Sequence, residues 1–263
     1  MSSIGPIHID LSERFERLSR APIAEAVLEL RCSATSPWDE TEIAPKIKAA
    51  LPDYPMVDSL RAVSFAMSFQ PPSVASPAQQ AASQQDSWVG LRVRCSNQPQ
   101  IATLTRELFA FSRLQPYVDW STFTDEAIRL WRFHASIAKP VDIQRVGARS
   151  INRIPVPAAS LDFSRYFVGM TDPGCSLPRS GFLHQEVFAV PGHPYQVQLI
   201  RTMQPPSADS LDSVGLIVDI DVSTVEPIGI EESTIRRHLP FMRWLKNKVF
   251  FAGITEEMKV LCR

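Results

Sequence analysis

With 263 residues, 44% of them apolar and 21% charged, the chain can bury a sizeable core and falls in the ordinary globular range. Its formal net charge of −1 excludes broad electrostatic attraction to DNA, RNA or anionic lipid, while its 27 basic residues leave room for a local basic surface. Cys32, Cys95, Cys175 and Cys262 form no CxxC pair, Met1–Asp10 lacks the pattern of a signal peptide, and no window reaches the ~18 apolar residues of a membrane helix. Reduced thiols, no membrane and a cytoplasmic location are the expectation.

Residues 1–20 are polar and mixed, and read as an N-terminal arm or short helix ahead of a single domain over 21–263. Ile23–Cys32, opened by Pro22, is the first strand. Trp38, Ile43, Ile47 and Leu51 recur near helical spacing and predict a helix over Trp38–Leu51, with Pro45 acceptable only in a first turn. Val63–Phe69 alternates apolar with small polar residues, as a half-buried strand does. Gln70–Asp86, rich in Pro, Ala, Gln and Ser, reads as a flexible surface loop. Trp88–Cys95, Gln100–Arg106 and Leu108–Arg113 follow as a meander of short strands.

Thr124–Ala138 is the clearest helix of the first half, with Thr122 as its expected cap and an apolar stripe of Phe123, Ala127, Leu130, Trp131, His134 and Ile137. A long strand, Asp142–Ile154, comes next, stopped by Pro155 and Pro157, and then a short helix over Leu161–Val168. After a Pro- and Gly-rich loop, Gly169–Ser180, the strands Phe182–Val190 and Tyr195–Met203 are joined at Pro191–Pro194. Polar Gln204–Ser213 leads into the β-branched strand Val214–Val225. Helical material closes the chain over Glu231–Gly253, kinked or restarted at Pro240, and over Thr255–Leu261.

This order predicts an α+β fold with an antiparallel sheet, curled toward a barrel, and two long helices. It also suggests an internal duplication of a β-α-β-β-β-α unit, without a residue-level repeat.

No phosphate-loop, dinucleotide, zincin, nucleophile-elbow or kinase motif is present. His8, His134, His184, His193 and His238 show no metal-ligand spacing; His134, on an apolar stripe, reads as a hydrogen-bonded core residue, and His184 shares a strand face with Glu186. Charge on strands is more informative. A period of two puts Glu25, Glu29 and Arg31 on one face, Arg92 and Arg94 on another, and then Arg145, Arg149 and Arg153, and Asp219 and Asp221.

Two readings of this pattern compete. Either the charged face meets water and pairs across strands, or it lines a groove that takes a polyanion, with Asp219 and Asp221 holding Mg²⁺ or Mn²⁺. The aromatic segment Phe109–Trp131, interleaved with Arg106, Arg113, Arg129 and Arg132, reads as core or as a base-stacking surface. The basic run Arg236, Arg237, Arg243, Lys246 and Lys248 reads first as a solvated helix face, and second as a phosphate- or partner-binding face.

Five segments carry a resemblance. Pro22-Ile-Ala-Glu-Ala-Val-Leu-Glu-Leu-Arg31 is one, and Phe111-Ser-Arg-Leu-Gln-Pro-Tyr117 with Trp120, Phe123 and Leu130-Trp131 is the second. Arg145-Val-Gly-Ala-Arg-Ser-Ile-Asn-Arg-Ile154, Asp219-Ile-Asp221, and Lys246-Asn-Lys-Val-Phe-Phe251 with Ile254-Thr-Glu256 complete it. Together they resemble an uncharacterised, sporadically distributed bacterial family with no assigned activity; Ser150 stands where that pattern has an aromatic. The resemblance spans about Ser19 to Leu261 and implies a bacterial origin, with a patchy distribution that fits accessory or defence systems.

The binding candidates are therefore Glu25, Glu29, Arg31, Arg92, Arg94, Arg113, Arg145, Arg149, Asn152 and Arg153. The favoured expectation is a non-catalytic accessory protein, of a defence or toxin–antitoxin-like system, that binds a protein partner or a small anionic ligand. The alternatives are a metal-dependent enzyme acting on a phosphorylated or nucleotide substrate, and a nucleic-acid-binding module.

Overall fold

The computed structural model describes residues 5–69, 80–158, 162–170, 174, 181–204 and 212–263. Alternation fixes the strands. In β1 (Ile23–Ala34), Ala26, Leu28, Leu30 and Cys32 are buried while Glu25, Val27, Glu29 and Arg31 take the other face. The remaining strands are β2 (Met56–Phe69), β3 (Gln80–Arg94), β4 (Gln100–Thr105), β5 (Leu108–Leu114), β6 (Pro140–Pro157), β7 (Leu183–Ala189), β8 (Tyr195–Gln204) and β9 (Ser213–Thr224), and the same alternation is clear in β4, β5 and β8. All pairings are antiparallel, in the order β2–β3–β4–β5–β1–β6–β9–β8–β7.

The order is mirrored about the central β1–β6 pair. Outward from β1 come β5, β4, β3 and β2; outward from β6 come β9, β8 and β7. Each half then closes with a long helix, α2 (Trp120–Ala138) or α3 (Glu232–Gly253). The first half, with α1 (Glu40–Ala50), follows the β-α-β-β-β-α order read from the sequence with one added strand, whereas in the second half only a 3-10 turn stands where the unit's first helix was expected. The sheet does not close into a barrel: β2 and β7 are its two edges.

Helices cover one face only. In α2, Phe123 stacks on Phe111 and Trp131 tilts against Phe109. In α3, His238 and Phe241 meet Tyr195 of β8. α1 buries Ile43 and Ile47 in the same core. The two long helices run antiparallel, tied by Arg132 to Glu232 and by Arg236 to Asp125. None of the described helices is long and apolar enough to cross a membrane.

Several boundaries differ from the sequence reading. Residues 70–79 of the expected loop lie outside the described residues, but Gln80–Asp86 continue β3 and pair with Val63–Phe69 of a longer β2. Ladder hydrogen bonds come from the backbone, so a hairpin can extend through residues of low strand propensity. Asp119, not Thr122, caps α2; its carboxylate accepts from the Thr122 amide at 2.8 Å. Pro45 lies beyond the first turn of α1, where the carbonyl it strands belongs to solvent-exposed Thr41. Pro240 lies inside a continuous α3. The short helix after β6 is a single 3-10 turn, Phe163–Arg165. At the C-terminus, Thr255 caps α4 (Glu256–Val260).

Candidate ligand cleft

The sheet face opposite the helices gathers most of the charged residues expected there. Glu25, Glu29 and Arg31 of β1, Arg92 and Arg94 of β3, Arg145, Arg149 and Arg153 of β6, and Asp219 and Asp221 of β9 all share it. Most of these side chains are engaged with one another or with neighbours on the same face. Arg149 grips Asp219 with both Nε (2.8 Å) and Nη2 (2.5 Å). Glu29 accepts from Arg31 at 2.8 Å and from Arg145 at 2.7 Å, and Arg145 also bonds Asp221. Arg94 reaches Asp58 at 2.9 Å, and Arg153 reaches Gln204 at 2.8 Å.

Gly147 permits the central part of this network. A Cβ there would lie 2.3 Å from Arg145 Nη1, so the bare backbone lets the guanidinium cross between Glu29 and Asp221. Burial raises the Asp221 carboxyl above its ordinary range despite the Arg145 charge beside it. A cation at Asp219 and Asp221 would have to displace these arginines. Among the described residues, no group of three or more His, Cys, Asp and Glu is arranged to hold a metal ion.

Arg113 and Asn152 depart from this pattern. Both point to the helix side and are buried. Arg113 donates to the Pro116 carbonyl from Nε and Nη2, at 3.3 Å each, and to Gln98 Oε1 at 2.9 Å, so it braces the turn that carries the cis Gln115–Pro116 bond. Asn152 Nδ2 donates to the Val218 carbonyl at 2.9 Å.

Asn152 borders a cleft of about 1480 Å³ on the helix side. Its floor is Ser150 and Asn152 of β6; its walls are the 115–120 turn and the α3 face from Pro240 to Phe251. The arm closes it. Residues 11–22 run along the rim without helix or strand and lead into β1. Phe15 stacks on Phe251 at 5.7 Å, and Glu13 accepts from Trp244 Nε1 and Lys248 Nζ at 2.8 Å each. Glu16 holds Arg263 at 2.6 Å, and the Arg20 amide donates to the Cys262 carbonyl at 3.0 Å. Four of the five segments quoted above, far apart in the chain, meet here: Pro22-Ile23, Pro116 to Trp120, Ser150 to Asn152, and Lys246 to Phe251.

The chemically unusual group is Lys246, with only 9% of its surface exposed. Its Nζ lies 5.8 Å from the Trp120 ring centroid and 3.3 Å from Asn247 Oδ1, and no carboxylate of the described residues pairs with it. Burial, reinforced by the nearby Arg243 charge, pulls its ammonium down to about 8. The carboxylates of the lining do not compensate it. Glu13 and Glu16 serve Lys248 and Arg263, and Asp119 caps α2.

The sequence reading treated Lys246 as part of a solvated basic face; the structure overturns this. Arg236 and Lys248 of the same run are ion-paired, while Lys246 turns inward. The signal was present in the spacing: Ile235, Leu239, Met242, Lys246 and Phe250 recur every three or four residues, so the lysine stands on the apolar stripe. Trp120 and Tyr117, flagged as aromatics of a core or a stacking surface, line the cleft. No protein-family model, curated protein or solved structure matches this chain.

Proposed function

We propose that the protein is a non-catalytic binding protein whose cleft between α2, α3 and the arm holds a small anionic ligand with an apolar, aromatic body. The observation that carries this reading is Lys246: a desolvated cation bordering a cavity, with no carboxylate among the described residues to offset its burial. Such a charge is costly in the free protein and is relieved when an anion enters. The aromatic walls and the neutral hydrogen-bonding groups Ser150, Asn152 and Asn247 fit the usual make-up of a small-molecule site, mostly apolar with a few placed polar groups. The charged sheet face offers less to a ligand, because its central arginines are neutralised by Glu29, Asp219 and Asp221.

A thermal-shift panel of anionic and neutral aromatic compounds tests this. Anionic members are expected to stabilise the wild type, by about 2.7 kcal/mol at a hundredfold excess over Kd, and to leave Lys246→Met unshifted. Equal shifts in the two proteins, or none with any anion, refute the reading.

A further inference from the structure

Arg243 and Lys246 stand one turn apart on α3, and both line the cleft. Like charges at this spacing repel, and the repulsion is registered on the lysine, whose proton affinity Arg243 lowers further. Neither side chain forms a close ion pair with a carboxylate among the described residues, whereas the neighbouring Lys248 does; Asp119 of the lining feels the Arg243 charge without contacting it as an ion pair. Arg14 and Arg17 of the arm add positive charge at the rim. The N-terminus of α2 is already satisfied by the Asp119 cap, so the anion-attracting element is the α3 pair.

Asp119 offsets part of the Arg243 charge from a distance, so a ligand carrying a single negative charge would still leave the pair undercompensated. A phosphomonoester carries about −1.5 to −2 at pH 7 and three strong acceptor oxygens, which matches one ammonium plus one guanidinium. The cleft is far larger than a phosphate ion. Trp120 and Tyr117 offer ring faces beside the cation pair, and Asn152 offers a side-chain amide on the floor. On the reading of this cleft as a ligand site, we infer that its ligand is a phosphomonoester on an aromatic body, of which a nucleoside monophosphate is the natural type. Arg243 and Lys246 bind the phosphate, and the rings of Tyr117 and Trp120 bind the body.

Calorimetric titration at pH 7.5 of the full chain, of Arg243→Gln and of Lys246→Met tests the inference. The probes are phenyl phosphate, benzoate, adenosine monophosphate and adenosine. The wild type is expected to bind at least one of the two phosphate esters tenfold or more tighter than its uncharged or singly charged counterpart. Arg243 is exposed, so its replacement spares the fold; it is expected to reduce that preference at least fivefold while benzoate binding changes little. If benzoate binds as tightly as phenyl phosphate, the phosphomonoester is overturned and the anion-binding cleft stands. If no probe binds the wild type at millimolar concentration, or all bind the three proteins alike, both fall.

Discussion

Replacing Lys246 by methionine should stabilise the fold. In the unfolded chain the lysine has its ordinary value of 10.5, and in the folded protein burial holds it at about 8. Between those values the unfolded state binds more protons, so stability rises with pH through that window; below it the full penalty is present. A difference of about 2.5 units corresponds to about 3 kcal/mol at pH 7. Methionine keeps most of the length of the stem and its packing near Trp120, but carries no charge to desolvate.

Urea denaturation of both proteins at pH 7.0 and 9.5 measures the effect. At pH 7.0 the variant should be more stable by up to about 3 kcal/mol, and the advantage should shrink by roughly 2 kcal/mol at pH 9.5 as the wild-type amine loses its proton. A variant less stable than wild type at pH 7.0, or a difference independent of pH, refutes the reasoning, because the lysine would then be compensated in the folded state. A stabilising change that abolishes ligand binding is the expected mark of a group kept for function rather than for the fold.

Two further outcomes follow from other buried charges. His134 has no exposed surface; its Nε2 lies 2.7 Å from the Thr105 carbonyl, and burial lowers its ring to about 4. Because that is below its ordinary 6.5, wild-type stability should fall as pH drops from 6.5 to 4, by up to about 3 kcal/mol once both values are passed. His134→Phe should remove this share of the acid sensitivity in denaturation curves; an unchanged slope would count against it. On the open sheet face, Asp219→Asn weakens the two-pronged Arg149 contact. With Arg149 nearly half exposed, the cost should be about 1 kcal/mol. Ligand binding in the cleft should be unaffected, and a calorimetric loss of binding in this variant would return the function to the charged face.

Much of the fold was legible in the chain because it rests on local rules. Alternation at period two assigned Glu25, Glu29, Arg145 and Arg149 to one face of their strands, and short turns between strands required antiparallel pairing. The apolar stripe of α2 placed His134 in the core. One local miss came where the backbone, not the side chain, decides: Gln80–Asp86 join a ladder despite a loop-like composition.

The site was another matter. Composition, charge and strand period bound this protein to an antiparallel α+β sheet with one apolar and one charged face. The segments around Pro22, Pro116, Asn152 and Lys246 stood out only through the resemblance they carry. Only the tertiary structure decided that those segments meet around one cleft, because their meeting depends on the central β1–β6 pairing and on the antiparallel packing of α2 against α3. It also reversed the weight of the charges. Arg94, Arg145 and Arg149, conspicuous in the sequence, neutralise carboxylates on neighbouring strands, whereas the inconspicuous Lys246, carried inward on a helix stripe, has no carboxylate partner among the described residues. Counter-charge is a property of neighbours in space, and spacing along the chain does not encode it.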